Sequence, residues 1–214
     1  MQLPFTEEQF LDIFGTYNAA LWPFIVVLWL ATARVATELV RGRARGTIVS
    51  LLAAAHWAWS GVVYHALFFS RINPAAWLFA VMFVTQAFAF VWFGVVRRRL
   101  TFEWRGGLRH GLAGLLLAYS LAYPGLVLAT GQSFPRAPAA GVPCPTTLFT
   151  AGLLLAAGPP VPRVLLMIPI AWSLIGGSAA VLLGIAPDLM LLVAAVLLAV
   201  YATFPQSLAG KVRT

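Results

Sequence analysis

Apolar residues gather in long runs along the chain, and polar residues collect between the runs rather than alternating with them. Crossing a hydrocarbon core about 30 Å thick takes about 20 helical residues. Runs over residues 17–39, 47–69, 75–96, 108–130, 163–183 and 187–204 meet or approach that length, so they predict six membrane-spanning helices. A further run, 145–158, would rise only about 21 Å as a helix. It reads as a short crossing or as a re-entrant segment. Its prolines suit a helix: Pro145 can sit in the first turn, and Pro159-Pro160 ends it.

Residues 1–16 read MQLPFTEEQFLDIFGT and have a different pattern. Thr6 and Gln9 form a capping box, and Glu7 and Glu8 fall in the first turn, where they oppose the helix dipole. Phe5, Phe10, Ile13 and Phe14 gather on one side, which predicts a short amphipathic helix lying on the membrane surface. No basic residue precedes Arg34, so no cleaved secretory signal is expected. The predicted fold is an all-α polytopic transmembrane helix bundle, one domain over residues 1–214, with this interfacial helix ahead of it.

Charge decides whether 145–158 crosses. Arg41, Arg43 and Arg45 lie two crossings away from Arg97, Arg98, Arg99, Arg105 and Arg109, so both clusters share a side. The positive-inside rule makes that side cytoplasmic and the N terminus external. If 145–158 crosses, Arg34, Arg163, Lys211 and Arg213 join the inside, leaving Arg71 and Arg136 outside. If it does not cross, Lys211 and Arg213 move outside with the C terminus. Seven spans, the fifth short, with N outside and C inside, is the arrangement the arginines favour.

Composition agrees: 61% of the chain is hydrophobic, 9% is charged and the mean hydropathy is +0.90, far from soluble proteins. The net charge of +8 sits in short clusters between apolar runs, so it marks topology at a lipid surface and does not predict a nucleic-acid partner. One cysteine rules out an internal disulfide, CxxC redox chemistry and Cys-rich zinc sites.

The second span is the most polar. His56, Ser60 and Tyr64 recur at i, i+4 and i+8 on one face, with His56 near mid-membrane and His65 near the outer end. At the outer ends of other spans lie Tyr17, Asn18, Asn73, Cys144, Thr146, Thr147 and Asp188. Together with His56, Tyr64 and His65 they outline an outward-facing polar pocket for a ligand, expected between the second, third and fifth spans. A helix starting below the outer surface would floor it with unpaired backbone N–H groups and with Cys144. A thiol there ionises more readily, and beside His65 it would suit a soft metal ion. The mid-membrane polar set, His56, Gln86, Tyr119, Ser120 and Ser173, contains no acid, so coupling through a buried carboxylate is not expected. Pro124, Pro169 and Gly176-Gly177 mark either helix breaks or close packing.

Several chemistries drop out. Retinal needs a lysine on the last helix, and the only lysine, Lys211, lies beyond it. Bis-histidine haem needs two histidines at one depth, whereas His56, His65 and His110 are expected at three depths. No HExxH or GxSG motif is present. The cofactor is otherwise unspecified.

The tracts LPFTEEQFLDIFGTYNAALWP, HALFFSRINPAAWLF and CPTTLFTAGLLL resemble a family of bacterial polytopic membrane proteins known only as a domain of unknown function. The resemblance implies a multi-pass protein of the bacterial inner membrane and brings no activity or catalytic residue. Three readings follow from the residues. The first is a transporter, channel or binding protein for a small solute or soft metal ion. The second is a membrane-embedded enzyme acting on a lipid or membrane-soluble substrate through Cys144 or His65. The third is a scaffold or sensor without catalysis. The expected partners are the bilayer and a small solute or metal ion, with self-association left open.

Overall fold

The computed structural model describes residues 4–204. Lys211 and Arg213, and the side of the membrane expected for them, lie outside the described residues, as do residues 1–3 of the expected interfacial helix. Within the described residues the chain is helical, and its only β feature is an isolated antiparallel bridge between Phe102 and Ala157. Helix α1 spans Glu7–Val40, α2 Gly46–Arg71, α3 Ala76–Val96, α4 Gly107–Ala129, α5 Pro143–Ala156 and α6 Val164–Leu183; α7, Met190–Thr203, comes after a 3-10 turn at Ala186–Leu189. Six of these helical stretches are long and apolar enough to cross a membrane, and α5 is shorter.

The capping box forms: Gln9 N–H donates to Thr6 Oγ1 at 3.2 Å, and Thr6 N–H donates to Gln9 Oε1 at 2.9 Å. Beyond this cap the chain departs from expectation. The surface helix expected over 1–16 and the span expected over 17–39 are one continuous helix of 34 residues. Its length is about 51 Å, well beyond a core of about 30 Å. The apolar side of its first turns does not need a lipid surface, because the bundle covers it. Phe10 packs edge-on against Phe69 and Phe14 stacks on Tyr64.

Contacts between connections define the two ends of the bundle. At one end Gly46 packs against the Leu100 carbonyl, Gly158 N–H donates to Thr101 O at 2.8 Å, and Arg109 donates to Ala157 O at 2.8 Å. The Arg41–Arg45 and Arg97–Arg105 clusters therefore share that end. At the other end Arg136 pairs with Asp12, and Tyr119 donates to Pro187 O at 2.9 Å. Helix α5 runs between the ends, antiparallel to α4.

Apart from Cys144, every residue of α5 is buried. Buried all round and carrying no charge, α5 is the central post of the bundle, packed by α2, α4, α6 and α7. Its 14 residues suffice because it never has to match the lipid thickness. It begins at Pro143, two residues earlier than expected, so Cys144 lies inside its first turn. Its prolines leave two of its first three residues without an N–H, which removes most of the amide floor expected under the pocket.

Neither Pro124, Pro169 nor Gly176-Gly177 interrupts a helix. Gly176 and Gly177 allow close packing: a Cβ on either would come within 2.8 Å of Leu191 or Leu192 side-chain atoms of α7. In the turn preceding Pro124, the Leu121 carbonyl accepts a 3.0 Å bond from the Trp29 indole, fastening α4 to α1.

Candidate functional site

Ser60 to Phe68 of α2 is π-helical. The wider turn buries two successive residues on different sides, Tyr64 against Phe14 and Tyr17 of α1, His65 against α3 and α6. Such segments recur at functional sites in helices. Here it overrides the regular spacing that would have put Tyr64 on the face of His56 and Ser60.

The ten residues singled out in the sequence separate into two groups. Tyr64, His65, Asn73, Cys144 and Asp188 line one crevice of about 430 Å³. Tyr17, Asn18, His56, Thr146 and Thr147 do not line it; they hold the interior together.

In the interior group most polar atoms bond one another or the backbone, although the buried Asn18 Oδ1 has no partner. Thr32 donates its proton to Leu28 O at 2.8 Å, so its oxygen accepts from His56 Nε2, 2.7 Å away. The other ring nitrogen of His56, Nδ1, faces the Thr146 hydroxyl at 3.4 Å. Ser60 donates to Gly141 O at 2.6 Å and lies 3.2 Å from the same Thr146 hydroxyl. Tyr17 accepts from the Trp59 indole at 2.7 Å and donates to Ala140 O at 3.3 Å, while Asn18 donates to Pro135 O and Ala137 O. Thr147 donates to Pro143 O within its own helix. These bonds draw the 131–142 connection into the bundle. Gly141 meets Tyr17 and Trp59, which places the start of α5 about 15 Å below the first turn of α1 at about 1.5 Å per residue. Relative to the Glu7 end of α1, the start of α5 is therefore recessed.

The crevice opens above that start. Cys144 lies in its floor, with its thiol beside the Asp188 carboxyl and the Trp172 indole. Tyr123 donates to Asp188 Oδ1 at 2.5 Å. Asp188 sits at the start of the last span, as expected, but it is only 5% exposed: the 3-10 turn ahead of α7 folds inward and buries its carboxyl, and no buried carboxylate was expected. Asn73 stands at the rim, its Oδ1 accepting from Ala75 N–H at 3.0 Å.

His65 differs from all of these. Expected near the outer end of its span, it lines the crevice and is fully buried within the bundle. Tyr64, Phe69, Phe79, Phe83 and Trp172 surround its ring, with centroids 4.8–5.9 Å away. Neither ring nitrogen has a hydrogen-bond partner. The Trp172 Nε1–H also has no bonded partner; it faces the Cys144 sulfur, which is at best a weak acceptor. Tyr123, Trp172, Phe79 and Phe83 were not singled out in the sequence. In a helical run of apolar residues an indole or phenol gives no sign of whether it meets lipid, core or ligand.

Among the described residues no group of three or more His, Cys, Asp or Glu could hold a metal ion. Cys144 and His65 share the crevice, but the metal set built on them is not completed. The three histidines have separate surroundings: His56 bonds Thr32, His65 is enclosed by rings, and His110 Nδ1 lies 2.8 Å from Gly106 O at the basic end.

Compared with known proteins, the chain matches the model of the family of unknown function DUF6064 over residues 7–213. No curated protein and no solved structure matches it.

Proposed function

The chain belongs to this family of unknown function, and from its own geometry we propose that it is a multi-pass protein of the bacterial inner membrane that binds and carries a small solute through the crevice above α5. The crevice end faces outward and the arginine-rich end lies in the cytoplasm, as the positive-inside rule requires. The observation that carries this reading is His65: a fully buried imidazole on the wall of a cavity, with both nitrogens unpartnered. Buried polar groups in native proteins are nearly always bonded, and an exception beside an open cavity is where a ligand completes the set. The volume falls in the range of small-molecule sites, about 300–1,000 Å³.

Binding is better supported than catalysis. A thiol nucleophile needs a base within hydrogen-bond reach. His65 bonds nothing, and the Cys144 thiol turns to a carboxyl and an indole. With no three-ligand cluster among the described residues, a solute fits better than a metal ion.

The test uses the purified chain in lipid nanodiscs. His65→Phe removes the orphaned nitrogens and keeps an aromatic ring, so stability should hold within about 1 kcal/mol or rise. Compounds that raise the unfolding temperature of the parent should lose that effect in His65→Phe and after Cys144 is blocked with benzyl methanethiosulfonate. Failure of the reagent to reach Cys144, or hits that ignore both changes, would overturn the reading in favour of a scaffold.

A further inference from the structure

Resting on the crevice being a binding site, we infer that its ligand is a lipid-soluble molecule with a neutral oxygen head, an alcohol or ketone, held by His65 and Trp172. Two groups without a hydrogen-bond partner belong to the crevice wall. The Trp172 and His65 rings meet edge-on with centroids 5.1 Å apart, and both line the crevice. An indole can only donate, and a neutral imidazole offers one N–H and one bare nitrogen. A hydroxyl serves two of these three groups: it accepts from the Trp172 N–H and donates to the bare His65 nitrogen. A ketone oxygen accepts from both N–H groups.

Charged heads fit worse. No lysine or arginine lines the crevice, while Asp188 does, so an anionic head would meet a carboxyl group and no cation. The helix start that might have received an anion has prolines at Pro143 and Pro145 in place of two amides. A cationic head would bring donors to a wall whose unpartnered groups include the Trp172 donor. Its natural counterion, Asp188, already accepts from Tyr123 and adjoins the Cys144 thiol.

The walls describe the rest of the ligand. Phe5, Phe10 and Phe69 close one side. On the other, Ile175 and Leu182 of α6 line the crevice while 40% and 56% exposed, so it borders the face that α6 turns to lipid. An apolar body can reach this site from the bilayer without crossing water.

Four probes with one tail separate the possibilities: farnesol, farnesene, farnesylamine and farnesoic acid, each titrated into nanodiscs and followed by thermal unfolding. Farnesol should act at a concentration at least about tenfold below farnesene, the ratio expected for one buried hydrogen bond regained. His65→Phe and Trp172→Phe should each bring that ratio to about one to three. Equal action of farnesol and farnesene would show that the head is not read, and preference for the amine or acid would overturn the neutral-head assignment. If none of the four binds while other compounds stabilise the parent through His65, the head assignment falls and the crevice reading stands. If no compound binds and Cys144 cannot be reached, both fall.

Discussion

His56 and His65 sit nine positions apart on one helix, and their difference rests on single neighbours. Thr32 and Thr146 supply oxygens to both nitrogens of His56, whereas His65 is ringed by carbon. Buried imidazole with partners belongs to the fold; buried imidazole without them costs about 1–3 kcal/mol until a ligand arrives. Thr32→Val keeps the shape of the side chain and strands His56 Nε2, so it should lower unfolding stability by about 1–3 kcal/mol without changing the response to farnesol. Loss of that response at unchanged stability would place His56 in the site instead. At this scale the residue types were legible and their neighbours were not. The sequence put Asp188 at a helix start, a position usually solvated, and only the inward turn at Ala186–Leu189 buried it beside Tyr123.

Helix α5 shows what an element can reveal of itself. Its length, its prolines and its lack of charge were all readable, and a segment of this length suits a buried core helix better than a span. Its closeness to α4 depends on Gly152, where a Cβ would lie 2.8 Å from Leu117 Cγ and 3.0 Å from Ala113 O. Gly152→Leu should therefore destabilise by more than the 1–3 kcal/mol typical of overpacking, because a backbone carbonyl cannot move aside as a side chain does. Gly111→Ala in α4 meets nothing within 4 Å and should be neutral or stabilising by up to about 1 kcal/mol. Thermal unfolding of the two variants checks both. The continuity of α1 from Glu7 to Val40 was not legible: an amphipathic stretch looks the same whether lipid or Phe69 and Tyr64 cover its apolar side.

For the molecule as a whole, topology is set by the two ends. In a Cys144→Ser background, Arg43→Cys and Arg99→Cys should react with a membrane-impermeant maleimide from the same side of sealed vesicles, and Ser133→Cys only from the other. Labelling of Arg43→Cys and Arg99→Cys from opposite sides would break the bundle described here. The contacts of Gly46 with Leu100 and of Gly158 with Thr101 join the arginine-bearing connections at one end, as the charge pattern alone required.

Hydrophobic length and arginine position are properties of the chain itself, because the bilayer acts on each segment separately. The sequence alone therefore determined the helical class, the approximate bounds of most helices after the first and the shared end of the basic clusters. Which polar side chains meet depends on how helices far apart in sequence rotate against one another. Only the tertiary structure could pair His56 with Thr32, bury Asp188 beside Tyr123, and leave His65 and Trp172 facing a cavity with bonds still to make.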